Sequence, residues 1–164
     1  MPRPPGGLPV APSAVPPATG GVFLLGCHGG AGVTSLTCAV PGTLDAHRMW
    51  PQAPPGSPAP RVVLVCRSSH AGLTAAQTAI RQWASGAVTG IELLGLAVVA
   101  DAPGALPKPL KDLHRLIRGG VAESWPIPWA EAWRLGHPPA ETMPRQLVAF
   151  ARALARYTEG TTHA

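Results

Sequence analysis

The feature that most constrains this chain is a glycine-rich turn held between two apolar segments. Val22-Phe-Leu-Leu-Gly26 is a short continuous apolar run, and Thr34-Ser-Leu-Thr-Cys-Ala-Val40 is an apolar segment halted by Pro41. Between them lies Cys27-His-Gly-Gly-Ala-Gly-Val33. A five-residue apolar run bounded by glycines reads as a buried parallel strand rather than a helix. Glycines that bare backbone N–H groups at the mouth of a helix make a cradle for an anion, phosphate above all. A tight turn kept for structural reasons is the plainer alternative, but a GGxGxT run at a strand-to-helix junction is much rarer than glycine turns in general.

The pattern beyond this turn keeps alternating. Arg61-Val-Val-Leu-Val-Cys66 is β-branched and reads as a second buried strand. Ser68 or Ser69 can cap a helix over 71–85, where Leu73, Ala76, Ile80 and Trp83 (or Ala84) share a face and Gly86 ends it. Residues 91–100 read as a third strand. Pro107 opens a helix with Leu110, Leu113 and Ile117 on one face, residues 121–127 suit a fourth strand, and a last helix covers about 145–157. Strands alternating with helices imply crossover units and a mostly parallel sheet covered on both faces. The expected fold is therefore α/β, a three-layer sandwich with a sheet of four to five strands. Ligands in such sheets gather beyond the carboxyl ends of the strands, here residues 26–35, 67–70, 101–104 and 128–131.

Composition sets the limits around this core. The 164 residues suit one domain. Nineteen glycines and 21 prolines are concentrated in stretches rather than spread. Residues 1–20 read as a disordered Pro-rich leader, 21–158 as the α/β domain, 41–60 as a Pro-rich loop without a strand, and 159–164 as a disordered tail. The charged fraction is 13%, about half the usual share of about 25%. The net charge of +5 comes from singly scattered arginines with no basic run, so a nucleic-acid surface is not expected. Three cysteines without CxxC spacing suit reduced thiols, which argues for the cytoplasm. No stretch is long and apolar enough to span a membrane.

The turn resembles the deviant Walker A loop of the partition and septum-site ATPases, the ParA/MinD-like group, whose consensus reads KGGxGKT. Gly29, Gly30, Gly32 and Thr34 match it, while His28 and Val33 replace its two lysines. Val62 to Leu73, Leu94-Gly-Leu-Ala-Val-Val99 and Ile127-Pro128 are similar to the later strands of that group. The resemblance implies a truncated P-loop NTPase-like sheet without the switch-bearing strands. Asp45 is the lone carboxylate left in their place, in a neighbourhood that does not read as a strand end. The chain also resembles an actinomycete P-loop-like family, some of whose members lie near conjugation or plasmid-transfer genes.

What the resemblance implies is binding of ATP or another nucleotide, with Mg²⁺ met by the Thr34 hydroxyl. Residues 28–35 (His28, Gly29, Gly30, Ala31, Gly32, Val33, Thr34 and Ser35) would form the phosphate site. Valine cannot supply the charge that the lysine brings to the phosphates, so hydrolysis is expected to be slight or absent. Arg67, leaving the second strand at the same edge, is either a solvated strand-end arginine, the commoner case, or a bidentate phosphate partner. His28 is either an exposed turn residue or a donor to phosphate. Asp101 either caps a turn or meets a base or ribose. The resulting expectation is a weak nucleotide or phosphate binder with a regulatory or scaffold role, acting on an unknown protein partner. The group's habit of dimerising across nucleotide allows a homodimer. The alternative is an interaction module that binds no nucleotide at all.

Other constellations lead nowhere. Ser68, Ser69 and His70 lack a nucleophile elbow, and Glu123, Glu131 and Glu141 are too scattered for a paired acid and base. Trp125, Trp129 and Trp133 fall at intervals of four, either as core or as a docking patch.

Overall fold

The computed structural model describes residues 6–12, 21–137 and 139–158. Five strands form one sheet in which every neighbouring pair is parallel: β1 (Val22–Gly26), β2 (Thr43–Asp45), β3 (Arg61–Arg67), β4 (Glu92–Val99) and β5 (Glu123–Ile127), in the order β2-β1-β3-β4-β5. The helices are α1 (Val33–Ala39), α2 (His70–Ala84), α3 (Lys108–Arg118), the single turn α4 (Glu131–Arg134) and α5 (Arg145–Thr158). The fold class is the α/β sandwich that the alternation predicts.

Strand periodicity explains how one sheet serves two cores. On one face Leu25, Val62, Leu64 and Cys66 pack with Leu73, Ala76 and Ile80 of α2 and Ile117 of α3. On the other, Val22, Leu24, Val63 and Val65 pack with Leu36 of α1 and with Leu147, Phe150 and Leu154 of α5. Each fully buried leucine contributes about 1.5–3 kcal/mol. A register shift between Val62 and Val63 opposite β4 absorbs one extra residue near Gly95. Glycine is required there, because a Cβ would sit 2.3 Å from the Glu123 carbonyl oxygen.

Two expectations need correction. The 41–60 segment is not all loop: β2 pairs with β1 from Val22↔Thr43 to Leu24↔Asp45. Asp45 therefore does stand at a strand's carboxyl end. A three-residue edge strand with one neighbour and partly exposed side chains carries no apolar run from which to read it. Residues 6–12 of the leader are packed rather than disordered. Leu8 is buried, and its N–H and carbonyl both bond the side-chain amide of buried Gln82, at 2.9 and 2.8 Å. The Trp50 N–H donates to the Pro9 carbonyl and the Ala11 N–H to the Trp50 carbonyl. The expectations for residues 1–5, 13–20 and 159–164 lie outside the described residues.

The tryptophans do not form a stripe. Trp125 lies on β5 in edge contact with Phe150, the Trp129 indole donates to Glu131, and the Trp133 indole donates to Thr142. No helix among the described residues is long and apolar enough to cross a membrane.

Candidate functional site

The chain runs from β1 to β2 on one side of the sheet, then crosses to β3 on the other side of β1. That reversal opens a crevice at the carboxyl ends of β1 and β3, where ligands of open parallel sheets bind. The glycine turn leaves β1 at this point, and Arg67 leaves β3 beside it.

Backbone conformation explains the glycines of the turn. Gly30 has φ of 72° and Gly32, the N-cap of α1, has φ of 104°. A side chain at either position would be strained. No side chain caps α1, and the leading N–H groups of a helix have no acceptor within it.

His28 sits where the resemblance places a lysine, and its ring is used inside the fold. Nε2 accepts the Arg67 backbone N–H at 2.9 Å, which leaves the proton on Nδ1, 2.9 Å from the Gly29 carbonyl oxygen. The expected role as a phosphate donor is thus corrected: with both nitrogens engaged, the imidazole ties the turn to β3. Gly72 of α2 closes the arrangement from behind. A Cβ there would lie 2.3 Å from the Arg67 carbonyl oxygen and 3.0 Å from His28 Nε2.

Arg67 is held more firmly than a solvated strand-end arginine. Nε donates to the Gly30 carbonyl at 3.0 Å and Nη1 to the Ala100 carbonyl at 3.2 Å, while Nη2 lies 3.7 Å from where a Gly32 Cβ would stand. Two nitrogens of the planar fork are held by backbone carbonyls, and the third lies near Gly32.

An open cavity of about 500 Å³ is lined by residues of this turn, Gly30 through Ser35 among them, together with Asp45 and Arg67. Two residues invisible to sequence reasoning, His47 and Arg48, complete its wall. They occupy the centre of a turn closed by the Met49 N–H on the Ala46 carbonyl at 3.2 Å, with φ of 53° and 58°. Two successive left-handed residues that are not glycine cost about 1–2 kcal/mol each. This is the geometry of a type I′ turn, whose usual residues are Asn, Asp and Gly, so His-Arg offers no signal for it. The Asp45 carboxylate accepts the His47 N–H at 2.7 Å and helps hold the turn. Arg48 reaches the glycine loop, its Nη1 lying 3.7 Å from where a Gly29 Cβ would stand. Neither Arg48 nor Arg67 forms an ion pair among the described residues.

Asp101 is not brought to this cavity. It lines a separate, mostly apolar hollow of about 340 Å³ between the ends of β3, β4 and β5, with Leu106, His114, Ile127 and Pro128. Its N–H donates to the Ser68 hydroxyl at 2.9 Å, while Ser69 caps α2. One hydrogen bond links the walls of the two hollows, from Arg67 of the first to the Ala100 carbonyl of the second.

Magnesium has a poor set of donors in the main cavity. Thr34 and Ser35 offer hydroxyls, and Asp45 is the one carboxylate on its wall, with Oδ1 already engaged. A Mg²⁺ site draws on carboxylates and phosphate oxygens in octahedral order, and two guanidiniums here oppose a further cation. Among the described residues no cluster of three His, Cys, Asp or Glu side chains could hold a metal. The residues present do not fit a protein-held Mg²⁺.

The cysteines stand apart from the chemistry. Burial pushes the Cys66 thiol up to about 12, and burial, aided by the neighbouring Cys66, raises Cys27 well above the usual thiol range. Cys38 is exposed on α1.

Fold and site together define an all-parallel α/β protein with a lysine-free glycine loop at the switch point, flanked by two arginines. The model of the Family of unknown function (DUF6668) matches residues 20–156, and the chain belongs to that family. No curated protein and no solved structure matches the chain.

Proposed function

We propose that this protein is a degenerate relative of the ParA/MinD-like P-loop ATPases. In this reading it binds a nucleotide or another phosphate compound weakly, hydrolyses it little or not at all, and serves as a regulatory or scaffold component in the cytoplasm. The observation that carries the reading is the open cavity at the switch point, whose wall is formed by His28, residues 30–35 of the turn and Arg67. Glycines at 29, 30 and 32 leave the backbone accessible, and Arg67 stands where a phosphate oxygen could accept from its free donors.

The adjoining apolar hollow suits a flat base, which gives Asp101 a place at the base end rather than at the phosphates. Weak binding follows from Val33. A charge-assisted contact contributes about 1.5–3 kcal/mol, and the usual lysine is missing. Slight hydrolysis follows from the carboxylates, since Asp45 alone lines the cavity and is engaged by His47.

Titration of the purified chain with a fluorescent ATP or GTP analogue, with and without Mg²⁺, tests this. Saturable binding that Arg67→Ala weakens supports it. No binding at millimolar ligand rejects it in favour of an interaction module without nucleotide.

A further inference from the structure

We propose that the cavity takes the pyrophosphoryl end of its ligand as the metal-free anion, with Arg48 as the second cation that a lysine and Mg²⁺ would otherwise supply. The inference rests on the phosphate-binding reading above and goes further in naming the ligand's charged group, its ionic state and a residue that meets it.

Charge is the first ground. A pyrophosphoryl group brings several negative charges, and Val33 offers none in return. The cations on the cavity wall are Arg48 and Arg67, each free of an acidic partner among the described residues. They reach the same loop from different strand ends, Arg67 near Gly32 and Arg48 near Gly29. Two forks meeting one loop three residues apart suit two linked phosphoryl groups better than one.

Placement is the second ground. Arg67 is fixed by the Gly30 and Ala100 carbonyls. Arg48 belongs to a short turn anchored at both ends. On one side Asp45 pairs with β1 through Leu24. On the other, Trp50 is fully buried, donates from its indole to Gln82 at 3.1 Å and bonds the Pro9 carbonyl. The arginine is thus carried by a held, left-handed backbone rather than by a loose surface segment.

The donor set is the third ground. One engaged carboxylate and two hydroxyls facing two guanidiniums favour direct anion contact over a bridging metal. An arginine fork supplies the charge and fixed geometry that a metal would provide in other phosphate sites.

Calorimetric titration of the full chain with sodium pyrophosphate and with ATP, each in EDTA and in Mg²⁺, tests the proposal. Binding of both ligands in EDTA, at least as tight as in Mg²⁺, is expected. Arg48→Asn keeps a residue at home in left-handed backbone and is expected to lower affinity for both about ten-fold or more, the scale of one charge-assisted contact. Arg48→Gly gives a second check on the same turn, and matching circular dichroism shows that both variants fold. Arg81→Ala, an exposed arginine on α2 away from the cavity, is expected to change nothing. Binding that requires Mg²⁺, binding of ATP without pyrophosphate, or wild-type affinity in both Arg48 variants overturns the inference while leaving the phosphate reading intact. No binding of either ligand by the wild-type chain overturns both.

Discussion

The imidazole of His28 accepts the backbone N–H of Arg67 across the switch-point crevice, so the glycine turn and the third strand are joined by one side chain. The second ring nitrogen is held by the Gly29 carbonyl. This link sets the distance between the turn and the arginine beside it.

Replacing His28 with alanine leaves the half-buried Arg67 N–H without its acceptor. A loss of about 1–3 kcal/mol is expected, read as a lower midpoint in urea with unchanged slope. Gly72→Ala attacks the same point from α2, where a Cβ meets the Arg67 carbonyl backbone. Since backbone cannot swing away, about 1–3 kcal/mol or more is expected. Wild-type stability in both variants would remove the link from the account of the site.

Gln82 joins the leader to the domain through the two-way amide bond to Leu8 and the bond from the Trp50 indole. Gln82→Leu keeps the side chain near its former size but leaves these buried polar groups unpaired. A loss of about 1–3 kcal/mol per orphaned group is expected, with faster trypsin cleavage at Arg48. Unchanged cleavage would show that the Asp45–Trp50 turn does not depend on the leader.

Thiol labelling at neutral pH separates the cysteines. Cys38 is exposed, whereas Cys27 and Cys66 are buried with thiols held protonated. One of the three is expected to react promptly with a chromogenic disulfide, and all three in denaturant. Rapid labelling of more than one in the native protein would contradict the burial.

Acid sensitivity is expected from His114. Burial, and then the neighbouring Arg118, lower its pKa below the ordinary 6.5. The unfolded chain therefore binds a proton there before the folded one does, so stability rises with pH through this window. The contribution is fully present above about pH 6.5 and declines as the pH falls from there towards the folded value. His114→Gln is expected to flatten the drop in melting temperature between pH 7 and pH 5. An identical drop in wild type and variant would assign the acid sensitivity elsewhere.

The α/β class, the three apolar strands β1, β3 and β4, the capped α2 and the glycine turn were legible because each is encoded locally. Apolar runs of strand length, helical spacing of Leu73, Ala76 and Ile80, and glycines at a strand-to-helix junction carry their signal within a dozen residues. What only tertiary structure decided lies in contacts between distant segments. β2 exists because an edge of β1 was open to it, since its three residues hold no pattern. Asp45 and Arg48 reach the cavity because the crossing from β2 to β3 brings that turn beside the loop from β1. His28 became a tie rather than a ligand because Arg67, 39 residues away, presents an N–H to it. Asp101 was separated from the phosphate turn because the width of a sheet strand lies between them. Periodicity reports which face of an element is buried, but not which neighbour buries it. The residues that shape this site were chosen by strand order, and strand order is set by long-range pairing that leaves no trace in the spacing of side chains along the chain.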